Sequence, residues 1–146
     1  MDEEKINKLP PDVKKQFLKL GLKLSEKKTK TKVHEDFLSF VKHVWPEFIE
    51  GKHHKEISKK FNDIANKKIK RLIINMPPRH TKSEFASFLL PAWMVGRKPN
   101  LKIIQTTHTT ELAIRFGRKA KTLMDSQEYK EVFKTRLRED SQAAGK

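Results

Sequence analysis

Cysteine is absent from the 146 residues. Disulfides are therefore excluded, as is any zinc site built on thiolates. Long apolar runs are missing too, and none approaches the roughly 20 residues a helix needs to cross a bilayer. The opening stretch, MDEEKINKLPPD, is polar and lacks the apolar segment of a signal peptide. These absences point to a cytosolic setting. The length suits one domain with a modest core and leaves little room for a second.

Positive charge is what the chain has in excess. Its net charge is +15, against hydrophobic and charged shares of 36% and 35%. Such an excess attracts polyanions, of which nucleic acid is the commonest. The charge is spread along the chain rather than gathered in a tail, so a surface merely solubilised by lysine stands as the alternative. Charge alone does not select between them.

The patterning divides the chain at about residue 32. Pro10-Pro11-Asp12 can start a helix on which Val13, Phe17, Leu20 and Leu24 share a face. Ser25–Lys32 reads as a solvated basic linker. From Val33, Phe37, Leu38, Val41 and Val44-Trp45 form the apolar face of a helix stopped by Pro46. The next helix covers about His53 to Asn66, with Ile57, Phe61 and Ile64 inward. There is no internal repeat.

The character changes at Arg71. Leu72–Met76 (LIINM) is a short apolar run ending at Pro77-Pro78, the pattern of a buried parallel strand. A polar turn, Arg79–Thr81, leads into a helical stretch from Lys82 to about Val95, with Pro91 as a kink or a new start. Leu101–Thr107 (LKIIQTT) reads as a second strand, ending at His108. Helices follow over about Glu111–Met124 and Tyr129–Leu137. Strand and helix alternating in this half predict an α/β domain with a parallel sheet, preceded by a helical N-terminal segment.

A strand, a loop and then Lys82-Ser83 opening a helix is the phosphate-binding order of P-loop NTPases. Free N–H groups and the positive dipole end at a helix start favour a phosphate. Lys82 would face the β- and γ-phosphates, and Ser83 would complete the shell of a nucleotide-bound Mg²⁺. Arg79, in the same loop, would reach the γ-phosphate. Both glycines of the motif are absent, with Met76 and Thr81 in their places. Thr81 is the harder case, because glycine there lets φ turn positive beside the phosphates. Thr81-Lys82-Ser83-Glu84 also matches an S/T-x-x-E capping box, which needs no ligand. His53-His54 suggests a surface pair rather than a metal site, and His108 an ordinary turn residue or a ligand-side residue.

RLIINMPPRHTKSEFASFLLPAWMVGRKPN resembles the start of the ATPase domain in large terminase subunits of tailed bacteriophages. The core of the likeness is P-P-R-H-T-K-S-E. Trp45-Pro46, His54–Ile57, Thr106-Thr107-His108 and the Ala113–Arg118 stretch extend it over about residues 33–146. The resemblance implies ATP and Mg²⁺ as cofactors, bound by Pro78, Arg79, His80, Thr81, Lys82, Ser83 and Glu84. Lys82 and Arg79 would be catalytic, Ser83 would reach the metal, and Trp45–His54 would lie near the adenine. It further implies a three-layer P-loop fold and an ATPase that drives double-stranded DNA into a prohead. The partners would be DNA, the portal protein and the small terminase subunit, in a ring of copies in the host cytoplasm.

Residues 33–146 contain no apolar strand ending in Asp-Glu, the pair that would hold Mg²⁺ and activate water. EDSQAAGK reads as a chain interrupted in mid-domain. The expectation is thus an incomplete ATPase domain, ending before that strand and the family's nuclease domain. The remaining alternatives are another P-loop translocase or helicase, and a non-enzymatic basic DNA-binding module.

Overall fold

In a computed structural model, which describes residues 10–136, the first element is a long helix, α1, Pro11–Glu35. Proline is tolerated at such a start because its missing N–H would have no intrahelical partner. Asp12 in the first turn, and Lys32 and His34 in the last, match the two ends of the dipole. The chain divides into two compact units, Met1–Thr31 and Lys32–Lys146. In the first, the expected linker at Ser25–Lys32 is helical. Thr29 and Thr31 turn their hydroxyls back onto the carbonyls of Ser25 and Lys27, at 3.0 and 2.9 Å. A threonine that bonds back in this way sits within a helix without opening it. Val13, Phe17, Leu20 and Leu24 do not form a core, being 38–56% exposed.

The second unit is built on aromatic packing. Asp36 interrupts the chain and caps α2, Phe37–Val44, accepting the Ser39 N–H at 2.7 Å. Asn62 of α3, Lys52–Ala65, donates to the other Asp36 oxygen at 2.8 Å and accepts the Phe37 N–H at 2.9 Å. Burial pushes the Asp36 carboxyl up, but the bonds from Ser39 and Asn62 outweigh it and hold the group below its ordinary value. This bracket puts Phe37 at the centre of the core. Its ring meets Phe61, Phe85 and Trp93 edge-on, with centroids 5.1, 5.5 and 5.4 Å away.

One helical run carries most of the remaining core: α4, Lys82–Glu84, a π-helical turn, Phe85–Leu89, and α5, Leu90–Arg97. Pro91 does not end it. A proline inside a helix lacks its N–H and crowds the carbonyl four residues back. The wider turn just before Pro91, with Leu90 N–H bonding to Phe85 O, accommodates that defect. Phe85, Leu89, Ala92 and Trp93 are buried along this run. Trp93 donates its indole N–H to Val33 O at 3.2 Å.

Two more helices close the unit. Thr109 caps α6, Thr110–Asp125, and Ser126 caps α7, Gln127–Val132. Tyr129 of α7 is buried, donates to Ala92 O at 2.9 Å, and has its hydroxyl pKa pushed up to about 12 by burial. It fits because Gly96 has no side chain. A Cβ there would lie 2.6 Å from Phe133 Cγ and 2.7 Å from the Tyr129 oxygen. The helix expected over Tyr129–Leu137 thus ends at Val132, and Leu137 lies outside the described residues.

The expected α/β architecture is corrected by this structure. Among the described residues there is no strand and no sheet, so the three-layer parallel P-loop fold is not what these residues form. A buried parallel strand requires cover on both faces and neighbours for its backbone groups. At Leu72–Met76 burial alternates residue by residue: Leu72 and Ile74 pack on the core, while Ile73 is 86% exposed. One side of that run thus meets the core and the other meets solvent. At Leu101–Thr107, Ile104 is 91% exposed. Apolarity marked both runs, but it does not supply partners.

A direct consequence can be measured. Ile73→Ser and Ile104→Ser should each change unfolding free energy by less than about 0.5 kcal/mol, as exposed substitutions do. A loss of about 2 kcal/mol or more in a denaturant melt is the size expected of a buried isoleucine, and would contradict this arrangement. No helix among the described residues is long and apolar enough to cross a membrane.

Candidate phosphate-binding loop

Pro77–Glu84 curls around a cavity of about 220 Å³, several times the ~30 Å³ a water molecule takes up in the liquid. All seven residues expected to hold a nucleotide, Pro78 through Glu84, line it together with Pro77. Lys82 stands at the start of the helical run and reaches back over the loop, its ammonium 3.4 Å from Met76 O. Arg79 and Ser83 are exposed, and His80 Nδ1 donates to Pro78 O at 2.8 Å.

The backbone of this loop is unusual at two places. Arg79 has φ +63° and Thr81 φ +56°, both left-handed. Lys67 also has positive φ, but it follows the end of α3, where one left-handed residue is a common helix terminator. Arg79 and Thr81 precede a helix instead. A left-handed residue followed by a right-handed one turns successive N–H groups inward, forming a concavity that suits anions. Thr81 therefore takes the conformation for which glycine is normally required.

The capping box that would have explained Thr81–Glu84 without a ligand is not formed. Thr81 makes no side-chain cap to the helix start. Its hydroxyl donates to His80 O at 2.7 Å. Glu84 does not fold back either. Both its oxygens lie 2.8 Å from Lys119 Nζ of α6, so its carboxylate is paired with another helix.

His54 is the member of this site whose role spacing did not disclose. It is 6% exposed, so it is not half of a surface pair. Its Nε2 lies 2.6 Å from Thr81 Oγ1, and its Nδ1 accepts the Gly51 N–H at 2.9 Å. An Nδ1 that accepts leaves the neutral ring's proton on Nε2, so His54 donates to Thr81. Burial, and the neighbouring charges of His53 and His80, lower its pKa, with Glu50 opposing. The neutral form is the one these bonds require. His53 and His54 rings are 3.8 Å apart, yet no group of three metal-type ligands occurs among the described residues.

Of the Trp45–His54 segment expected near the adenine, His54 reaches the loop, whereas Trp45 and Phe48 belong to the aromatic packing. Phe48 lies between Trp45, His54 and Phe85, at 5.5, 4.8 and 5.4 Å, and both Trp45 and Phe48 pack on the core. His108 is exposed in a bend before α6. Comparisons with protein-family models, curated proteins and solved structures found no match for this chain.

Proposed function

We propose that the Pro77–Glu84 loop binds the phosphates of ATP with Mg²⁺, and that the chain acts in an ATP-driven motor on double-stranded DNA, of the kind large terminase subunits form. One observation carries the first part: two non-glycine residues held at positive φ before an uncapped helix start, with a lysine over the cavity. Strained backbone of this sort persists where surrounding contacts over-determine it, and it clusters at ligand sites. Lys82 would stand against the β- and γ-phosphates, Ser83 would reach Mg²⁺ through the nucleotide, and Arg79 would meet the γ-phosphate. The P-P-R-H-T-K-S-E string and the charge of +15 support the motor and its DNA substrate. A portal protein, a small terminase subunit and a ring of copies belong to the same proposal.

The test is a calorimetric titration with ATP and Mg²⁺. Lys82→Ala should weaken binding by about 10- to 100-fold, the worth of one hydrogen bond to a charged group. Equal affinity in the two proteins would remove the loop from consideration as a nucleotide site.

A further inference from the structure

Thr81 is β-branched, and left-handed φ is a genuine outlier for such a residue. Something must hold it there. Its own hydroxyl bond to His80 O is local, and a local bond of this kind is available in other turn conformations. The contact from outside the loop is His54, 27 positions earlier on α3. We propose that His54 is the positioning residue of the loop: its bond to Thr81 holds the backbone in the conformation that glycine would otherwise supply.

The geometry leaves His54 little freedom. Phe48 and Phe85 flank its ring at 4.8 and 5.1 Å, and Phe85 is wholly buried. Nδ1 is tied to the backbone at Gly51, which fixes the ring's rotation as well as its tautomer. Gly51 is itself constrained, since a Cβ there would come within 2.8 Å of His53 Cε1. The ring therefore presents Nε2–H to one place, the Thr81 hydroxyl. That hydroxyl accepts from His54 while donating to His80 O, so both of its roles are filled. A histidine and a threonine together do the work of one glycine, and the loop's shape depends on α3.

The dependence can be tested by pairing substitutions at the two ends. In the apo protein, Thr81 should show the strong intraresidue HN–Hα NOE that marks positive φ. His54→Ala and Thr81→Val should each abolish it, by removing opposite halves of the same bond. For affinity, the inference rests on the ATP reading above. There His54→Ala should weaken Mg·ATP binding about tenfold, the population cost of an unsupported left-handed residue. In a Thr81→Gly background the same His54→Ala change should cost less than about twofold, because glycine adopts that conformation unaided.

Persistence of the NOE in both His54→Ala and Thr81→Val would overturn the proposal. So would an equal loss of affinity on both backgrounds, which would mean His54 acts by touching the nucleotide or by general packing. If no variant binds ATP, the nucleotide reading fails by itself, while the NOE still decides whether His54 sets Thr81. Should His54→Ala not fold, Thr81→Val carries the comparison from the partly exposed end of the bond.

Discussion

Raising salt from about 50 to about 200 mM should weaken binding of this protein to duplex DNA by about 10³-fold, for a footprint of about six phosphates. The proposed role requires a grip on the backbone that ignores sequence, and counterion release gives such a grip its signature. Each phosphate neutralised contributes a slope of roughly −0.9 in log affinity against log salt. The chain has the cations for it. α1 alone carries eight lysines against three acidic residues, and seven of the eight are exposed. Anisotropy titrations on two unrelated duplexes should give equal affinities and equal slopes. Affinity that separates the duplexes but barely responds to salt would mean base readout, for which a motor has no use.

Trp93→Ala should cost about 3–5 kcal/mol, enough to unfold much of a domain of ordinary stability. Trp93 is fully buried, meets Phe37 edge-on at 5.4 Å and carries the bond to Val33 O. Truncation would remove the largest side chain in the core, open a cavity and leave that carbonyl without its indole donor. Trp93→Phe keeps most of the volume and should lose about half as much or less, through the missing N–H and a smaller void. Denaturant melts followed by far-UV circular dichroism would measure both. Similar small losses for Ala and Phe would show that the aromatic cluster does not hold the second unit together.

The helices could be read from the chain where apolar residues recur at helical spacing. α3 and α6 fall within one residue of their expected bounds, because one-sided burial is what their patterns encode, while α2 begins at Phe37 rather than Val33, which belongs to α1. The sheet could not be read correctly, since Leu72–Met76 looks the same whether its second face meets a strand or water. Ser25–Lys32 has the composition of a linker, but a lysine- and threonine-rich segment can propagate a helix already begun at Pro11. At the loop, motif order singles out Lys82, Arg79 and the residues between them, which line one cavity. Thr81's positive φ was legible only as a conflict with the missing glycine. What resolves the conflict is a side chain 27 positions away, and no local pattern reports such a contact.

The π turn at Phe85–Leu89 makes the helical run behave like a shaft with one extra tooth. It stands between Lys82, at the loop end, and Trp93, at the core end. Losing a single residue there would close the run into ordinary α-helix and return Pro91 to the crowded setting that the wider turn relieves. Each residue of an α-helix also turns the axis by roughly 100°. The loop end would then be rotated by about that angle against the aromatic face, swinging Glu84 off Lys119 and Thr81 off His54 while those four side chains remained in the chain. In this stretch, phase matters as much as composition, and a one-residue gap among sequences aligned to it would signify a different machine rather than a shorter version of the same one.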